Sequence, residues 1–124
     1  MIPVRANPDT WAKELYIASK TGVDLDDEGN EISTYSEPIK YMFNYRGIKS
    51  NAELVEFGEK ASITQRMVID RKYEGYFKEF DVAYLYGATP EGEQVNGDNA
   101  NYVLLPPRIG NSVIIIYMQK IIRE

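Results

Sequence analysis

Ile39-Lys40-Tyr41-Met42-Phe43-Asn44-Tyr45-Arg46 is the stretch whose reading decides the fold. Ile39, Tyr41, Phe43 and Tyr45 fall on one side of an extended chain, and Lys40, Met42, Asn44 and Arg46 on the other. That is the period-two pattern of a strand with one buried face. A helix would scatter the same side chains around its axis. The register places Phe43 in the core. Pro38, just ahead, has no N–H to donate, so it marks a bulge or edge in a longer strand that begins near Glu31.

Upstream, Leu15 and Ile17 alternate with Glu14, Tyr16 and Ala18, which predicts a strand at about residues 13–20. Asp24 to Asn30 is turn chemistry, with Gly29-Asn30 able to take positive φ. Residues 1–12 carry Pro3 and Pro8 and read as an extended arm, because each proline biases its predecessor away from helix. Val4, Arg5, Asn7 and Trp11 on this arm are candidate partner-binding residues, able to reach a neighbour and add to an exposed sheet edge.

Downstream, Ser50-Asn51-Ala52-Glu53 has capping-box spacing. Leu54, Val55 and Phe57 offer a short apolar face, and Gly58 stops a helix of about two turns. Ile63, Gln65, Met67 and Ile69 alternate with Thr64, Arg66, Val68 and Asp70, another strand. Asp81 to Tyr86 is a short strand closed by Gly87, and residues 88–101 form a polar loop without periodicity. A connection that long is commonly functional or mobile. Tyr102–Leu105 and Val113–Ile122 read as two strands joined through Pro106-Pro107 and Gly110-Asn111, with Ile115 in the core. The expected fold is mainly β: a small antiparallel barrel or sandwich of six to seven strands with one short helix, a single domain over 13–124.

Composition narrows the function. A chain of 124 residues suits one domain. It has no Cys and no His, so disulfides, thiolate zinc sites and imidazole-based nucleophilic catalysis are excluded. A net charge of −5 disfavours a dedicated nucleic-acid binder. Residues 9–37 hold eight acids against two bases, so the charge is uneven. The longest apolar run, Val113 to Met118, is far short of the ~20 residues of a membrane helix. The first residues lack the basic start and apolar stretch of a secretory signal, so an intracellular protein is expected. Ten tyrosines suit half-buried strands and protein interfaces alike.

Three clusters invite chemical readings. Asp24-Leu25-Asp26-Asp27-Glu28-Gly29 opens like a calcium loop, but Tyr35 stands where the bidentate Glu belongs, and strands flank it. A solvated hairpin turn is the simpler account. Glu53, Glu56 and Glu59 share helical spacing, but no pocket is indicated to drive their pKa values apart. Tyr73, Tyr76 and Phe77 beside Arg71 and Lys72 could stack single-stranded nucleic acid, although Glu74, Glu79 and Asp81 cancel the bases and core aromatics explain them as well. Neither GxxxxGK[ST], GxGxxG nor GxSxG occurs. No catalytic residues, cofactor or metal site are expected.

The order of features carries a resemblance. Asp27-Glu28-Gly29-Asn30, Tyr35-Ser36-Glu37-Pro38, Phe80-Asp81-Val82-Ala83-Tyr84-Leu85-Tyr86-Gly87 and Val113-Ile114-Ile115-Ile116-Tyr117 follow one another around a short S-x-x-E helix. Over about residues 11–122 this series resembles the head–tail joining proteins of tailed bacteriophages, the head-closure or connector family. The resemblance implies a small barrel in a homo-oligomeric ring beneath the portal, contacting portal and tail-side virion proteins. It further implies a place in the virion neck after assembly in the host cytoplasm, away from membranes. Long loops would line the axial channel, and 88–101, with Glu91, Glu93, Val95, Asn96, Asp98 and Asn99 as candidate partner-binding residues, is the matching segment. Its acids would let channel DNA slide without sequence-specific binding. The alternative expectation is a small barrel module that binds single-stranded nucleic acid or a peptide.

Overall fold

The computed structural model describes residues 12–122; the candidate arm residues Val4, Arg5, Asn7 and Trp11 lie outside them. Nine strands run in the order β1 (Lys13–Ala18), β2 (Lys20–Leu25), β3 (Glu31–Tyr35), β4 (Ile39–Gly47), β5 (Thr64–Asp70), β6 (Val82–Tyr84), β7 (Tyr102–Leu104), β8 (Arg108–Ile109) and β9 (Val113–Lys120). One helix, α1 (Asn51–Phe57), lies between β4 and β5 and continues into a 3-10 turn, Gly58–Ile63.

Six strands close an antiparallel barrel in the order β5-β4-β1-β6-β7-β9, with β9 returning to pair with β5 over seven residues from Thr64↔Gln119 to Asp70↔Val113. The second edge of β9 is shared: β7 pairs with its end and the two-residue β8 with its beginning. Closure removes the free edges that a flat six-stranded sheet would expose. β2 and β3 form a separate two-stranded sheet.

The alternation in 39–45 works as read, with Phe43 and Tyr45 buried, although Ile39 at the rim is exposed. Leu15, Ile17, Met67, Ile69, Leu104 and Met118 fill the same interior. Ile115 is a correction: it is half-buried on the other side of β9, while Ile114 and Ile116 point into the core. A continuous apolar run has no alternation to set its phase, so its register comes from pairing with β5.

The helix start is as expected at Ser50, whose hydroxyl oxygen accepts from the Glu53 amide. The Glu53 carboxylate returns to the Ser50 hydroxyl, 2.9 Å away. The apolar face expected of α1 is also corrected. Leu54 and Val55 are exposed, and only Phe57 packs, its ring 4.8 Å from that of Tyr117. α1 meets the barrel through Phe57 and through its carboxylates, Glu53 with Tyr117 and Arg66 and Glu56 with Arg108.

The predicted strand at 13–20 breaks at Ser19, where the chain leaves the barrel to form the β2–β3 hairpin. Ser19 and Ser36 clamp its root: the Ser36 amide donates to the Ser19 carbonyl, and the Ser19 amide to the Ser36 hydroxyl.

Candidate functional site

Three regions of the surface are built to a degree that ordinary loops are not. The first is the long connection between β6 and β7. It is a loop without helix or strand, as its composition suggests, but one ordered by its own hydrogen bonds. Asn101 zips it at the base, with its side-chain oxygen accepting from the Leu85 amide and its Nδ2 donating to the Leu85 carbonyl. The Tyr84 hydroxyl donates to Glu93 (2.6 Å) and accepts from the Gly97 amide (3.0 Å). Glu93 also accepts from the Asn99 amide. Gly97 has φ 93°, and a Cβ there would meet the Tyr35 ring at 2.6 Å. Ala18, Val82, Tyr84 and Ala100 form a second apolar cluster under this loop, so β6 is buried on both faces. Burial and then the bond to Glu93 push the Tyr84 phenol well above the ordinary range.

Of the loop candidates, Glu91, Val95, Asn96 and Asp98 are exposed. Glu93 is turned inward, which corrects the acidic face expected of Glu91, Glu93 and Asp98 together. Asn99 uses its side chain on the Glu91 carbonyl at 3.1 Å. The structure therefore offers an internally hydrogen-bonded cover with a few polar points and one exposed valine.

The second region is the barrel rim at which β1, β5 and β7 end and β4, β6 and β9 begin. Residues 71–81 cap it. Asp81, fully buried, holds the cap: one carboxylate oxygen accepts from the Lys20 amide and the other from the Lys78 amide, both at 2.9 Å. Phe77 inserts into the core against Tyr41, Phe43 and Tyr73. The stacking platform considered from sequence is thereby dismantled, since Phe77 is buried, Tyr73 half-buried, and only Tyr76 is left outside. Beside the cap lies an apolar pocket of about 240 Å³ lined by Ile69, Tyr73, Gly75, Phe77, Pro107, Ile109, Ile114 and Ile116.

The third region is the hairpin β2–β3. Every residue from 21 to 33 is exposed, including Val23, Leu25 and Ile32. Its turn is self-contained, and Asp26 accepts from the amides of Glu28 and Asn30 and from the Asn30 side chain. These bonds, that from the Asn30 amide first, hold the Asp26 carboxyl below its usual value. Its lone pairs are thus spent on the turn, and no cluster of three potential metal ligands occurs among the described residues.

The helix carboxylates are structural as well. Glu53 accepts from the Tyr117 hydroxyl and lies 3.3 Å from Arg66. Burial pushes its carboxyl up, but hydrogen bonds from Tyr117 and Ser50 outweigh this, and the net shift is downward. Glu56 pairs with Arg108, whose guanidinium sits 4.6 Å from the Tyr117 ring centroid. No helix among the described residues is long and apolar enough to cross a membrane.

Comparison with known proteins adds to the fold alone. No family model and no curated protein matches the chain. The solution structure of protein SF1141 from Shigella flexneri 2a is similar, with a TM-score of 0.54 at 16% identity, covering 93% of this chain and 96% of that one. At that identity the likeness shows a shared fold.

Proposed function

We propose that this protein is a structural assembly module of the head–tail connector type. It would form a homo-oligomeric ring between the portal and the tail of a tailed bacteriophage, in the virion neck, without catalysing a reaction. The observation that carries the reading is the β2–β3 hairpin: a two-stranded sheet standing clear of a closed barrel, with Val23, Leu25 and Ile32 in solvent. An isolated hairpin is marginal in water, so apolar side chains on one suit a partner that covers them. The order of sequence features that resembles the connector family supports the same reading.

The test is the mass and protein content of the native complex isolated through this chain from its source. A multi-copy species containing portal and tail-side proteins is expected. A single copy associated with neither would overturn the proposal. So would tight, salt-sensitive binding of single-stranded DNA by the purified chain, which would restore the binding-module alternative.

A further inference from the structure

The hairpin and the apolar pocket lie at the same end of the barrel, on different strands of it. The hairpin leaves from the end of β1 and re-enters at the start of β4; the pocket lies against β5, β8 and β9. Around the rim the pocket's β5 is the direct neighbour of β4 on one path, and β6 and β7 lie between on the other. At its root the hairpin leans on the loop 88–101, where the Tyr35 ring lies against Gly97 and the cluster of Ala18, Val82, Tyr84 and Ala100.

Their chemistry is complementary. Val23 and Leu25 share one face of β2 by the strand period, at 58% and 63% exposure. Around them stand Asp24, Asp26, Asp27, Glu28 and Glu31 against Lys20 alone, so the hairpin holds most of the chain's net charge of −5. At the pocket the basic side chains are Arg71 and Lys72. Arg71 is itself engaged, 3.6 Å from Glu74 and donating to the Gly110 carbonyl, and Asp70 accepts from the Lys72 amide. Lys72 stands over the Tyr73 ring with no carboxylate in ion-pair range among the described residues. Size also fits. A cavity of 240 Å³ exceeds the ~150 Å³ that holds a benzene and falls below the ~300 Å³ at which small-molecule sites begin. That space suits one or two aliphatic side chains.

We infer that the acidic hairpin of one copy docks into the rim pocket of the next, seating Leu25 and Val23 among Ile109, Phe77 and Ile114, with Lys72 facing its carboxylates. The inference rests on the ring reading and supplies the contact that reading lacks. Donor and acceptor are different surfaces, so the contact is head-to-tail, and with both on one rim the barrels stand side by side. Such contacts form rings when the rotation closes.

Two variants that leave the core untouched test it, Leu25→Ser on the hairpin and Ile109→Asp at the pocket mouth, with folding checked by thermal melting. In sedimentation velocity the wild type is expected to self-associate, less so at high salt. Each variant should weaken association at least about tenfold, as loss of a central apolar anchor does. Mixed in equal amounts, the two variants should give a one-to-one dimer and nothing larger, because only one intact hairpin and one intact pocket remain per pair. If Leu25→Ser dissociates the assembly while Ile109→Asp does not, the hairpins meet each other and the inference fails. If neither variant matters, or the wild type stays monomeric to several hundred micromolar, it fails too. In all these cases the ring reading is still judged by the composition of the native complex.

Discussion

Asp81 is the residue at which the architecture of the rim is most exposed to a single change. Its side chain has no solvent contact, and its two oxygens satisfy one backbone amide far off in sequence, Lys20 at the hairpin root, and one three residues away, Lys78 in the cap. Asp81→Ala removes both acceptors and leaves the part-buried Lys20 and Lys78 amides without their partner. A buried amide without a partner costs about 1–3 kcal/mol, so the pair should cost roughly 2–5 kcal/mol. Asp81→Asn keeps the shape and one acceptor but turns an NH2 group towards the second amide, so its cost should fall to about half that. In urea the midpoint should drop with little change in slope, and the melting temperature should fall by roughly 10 °C for the alanine variant. Hydrogen exchange adds a local readout: the Lys20 and Lys78 amides should lose protection beyond what global destabilisation explains. If both variants cost less than about 0.5 kcal/mol, the clamp is not what holds the hairpin to the cap.

Other outcomes follow from the same geometry. Phe43→Ala, which empties the centre of the Tyr41, Tyr73 and Phe77 ring cluster, should cost about 3–5 kcal/mol in urea unfolding. Gly97→Ala should destabilise measurably in the same assay, since the new methyl would meet Tyr35 at 2.6 Å and the residue sits at φ 93°; a neutral result would mean the loop is free to move. Replacing 88–101 by a short turn should lower the melting temperature clearly, because the loop's own Gly97 and Ala100 are buried and Tyr84 is covered beneath them. In a spectrophotometric titration, Tyr86 should ionise late, because partial burial of a residue still 57% exposed, with Tyr102 and Tyr45 nearby, pushes its phenol up to about 12. A phenol raised in the folded state stabilises below the unfolded value and loses that contribution as pH rises, so stability should decline from about pH 10 towards 12.

How far the sequence could be read depended on how local each cause was. Alternation in 39–45 and the Ser50 cap are set within a few residues, and both appear close to where they were expected. The phase of β9 was not legible, because Val113 to Met118 is apolar throughout and only the partner strand distinguishes Ile114 from Ile115. β8 has two residues between a proline pair and a glycine turn, too short for any period. The loop hid its order for a different reason. Its structure comes from Asn101, Asn99 and Glu93 bonding backbone amides and carbonyls, and polar residues so used look like residues left in water. The rim pocket and the Asp81 clamp join segments dozens of positions apart, and no motif marks either. The hairpin's turn was readable from Asp26, Gly29 and Asn30; that it stands away from the barrel was not.

The way β9 closes the barrel also governs how the chain must fold. Its bonds reach back to β5 across long sequence separations, 55 positions from Gln119 to Thr64. Until β9 has been synthesised, β5 and β7 each present an unpaired edge, and the apolar interior between them has no wall. Topologies dominated by such distant pairings fold in milliseconds to seconds, slowly for their size. During translation the nascent chain would therefore hold an open, curved sheet that is sticky along two edges, the state in which neighbouring copies aggregate. Fast emergence of β9, or a chaperone that holds the open sheet apart from its neighbours, would raise the soluble yield more than any strengthening of the finished core.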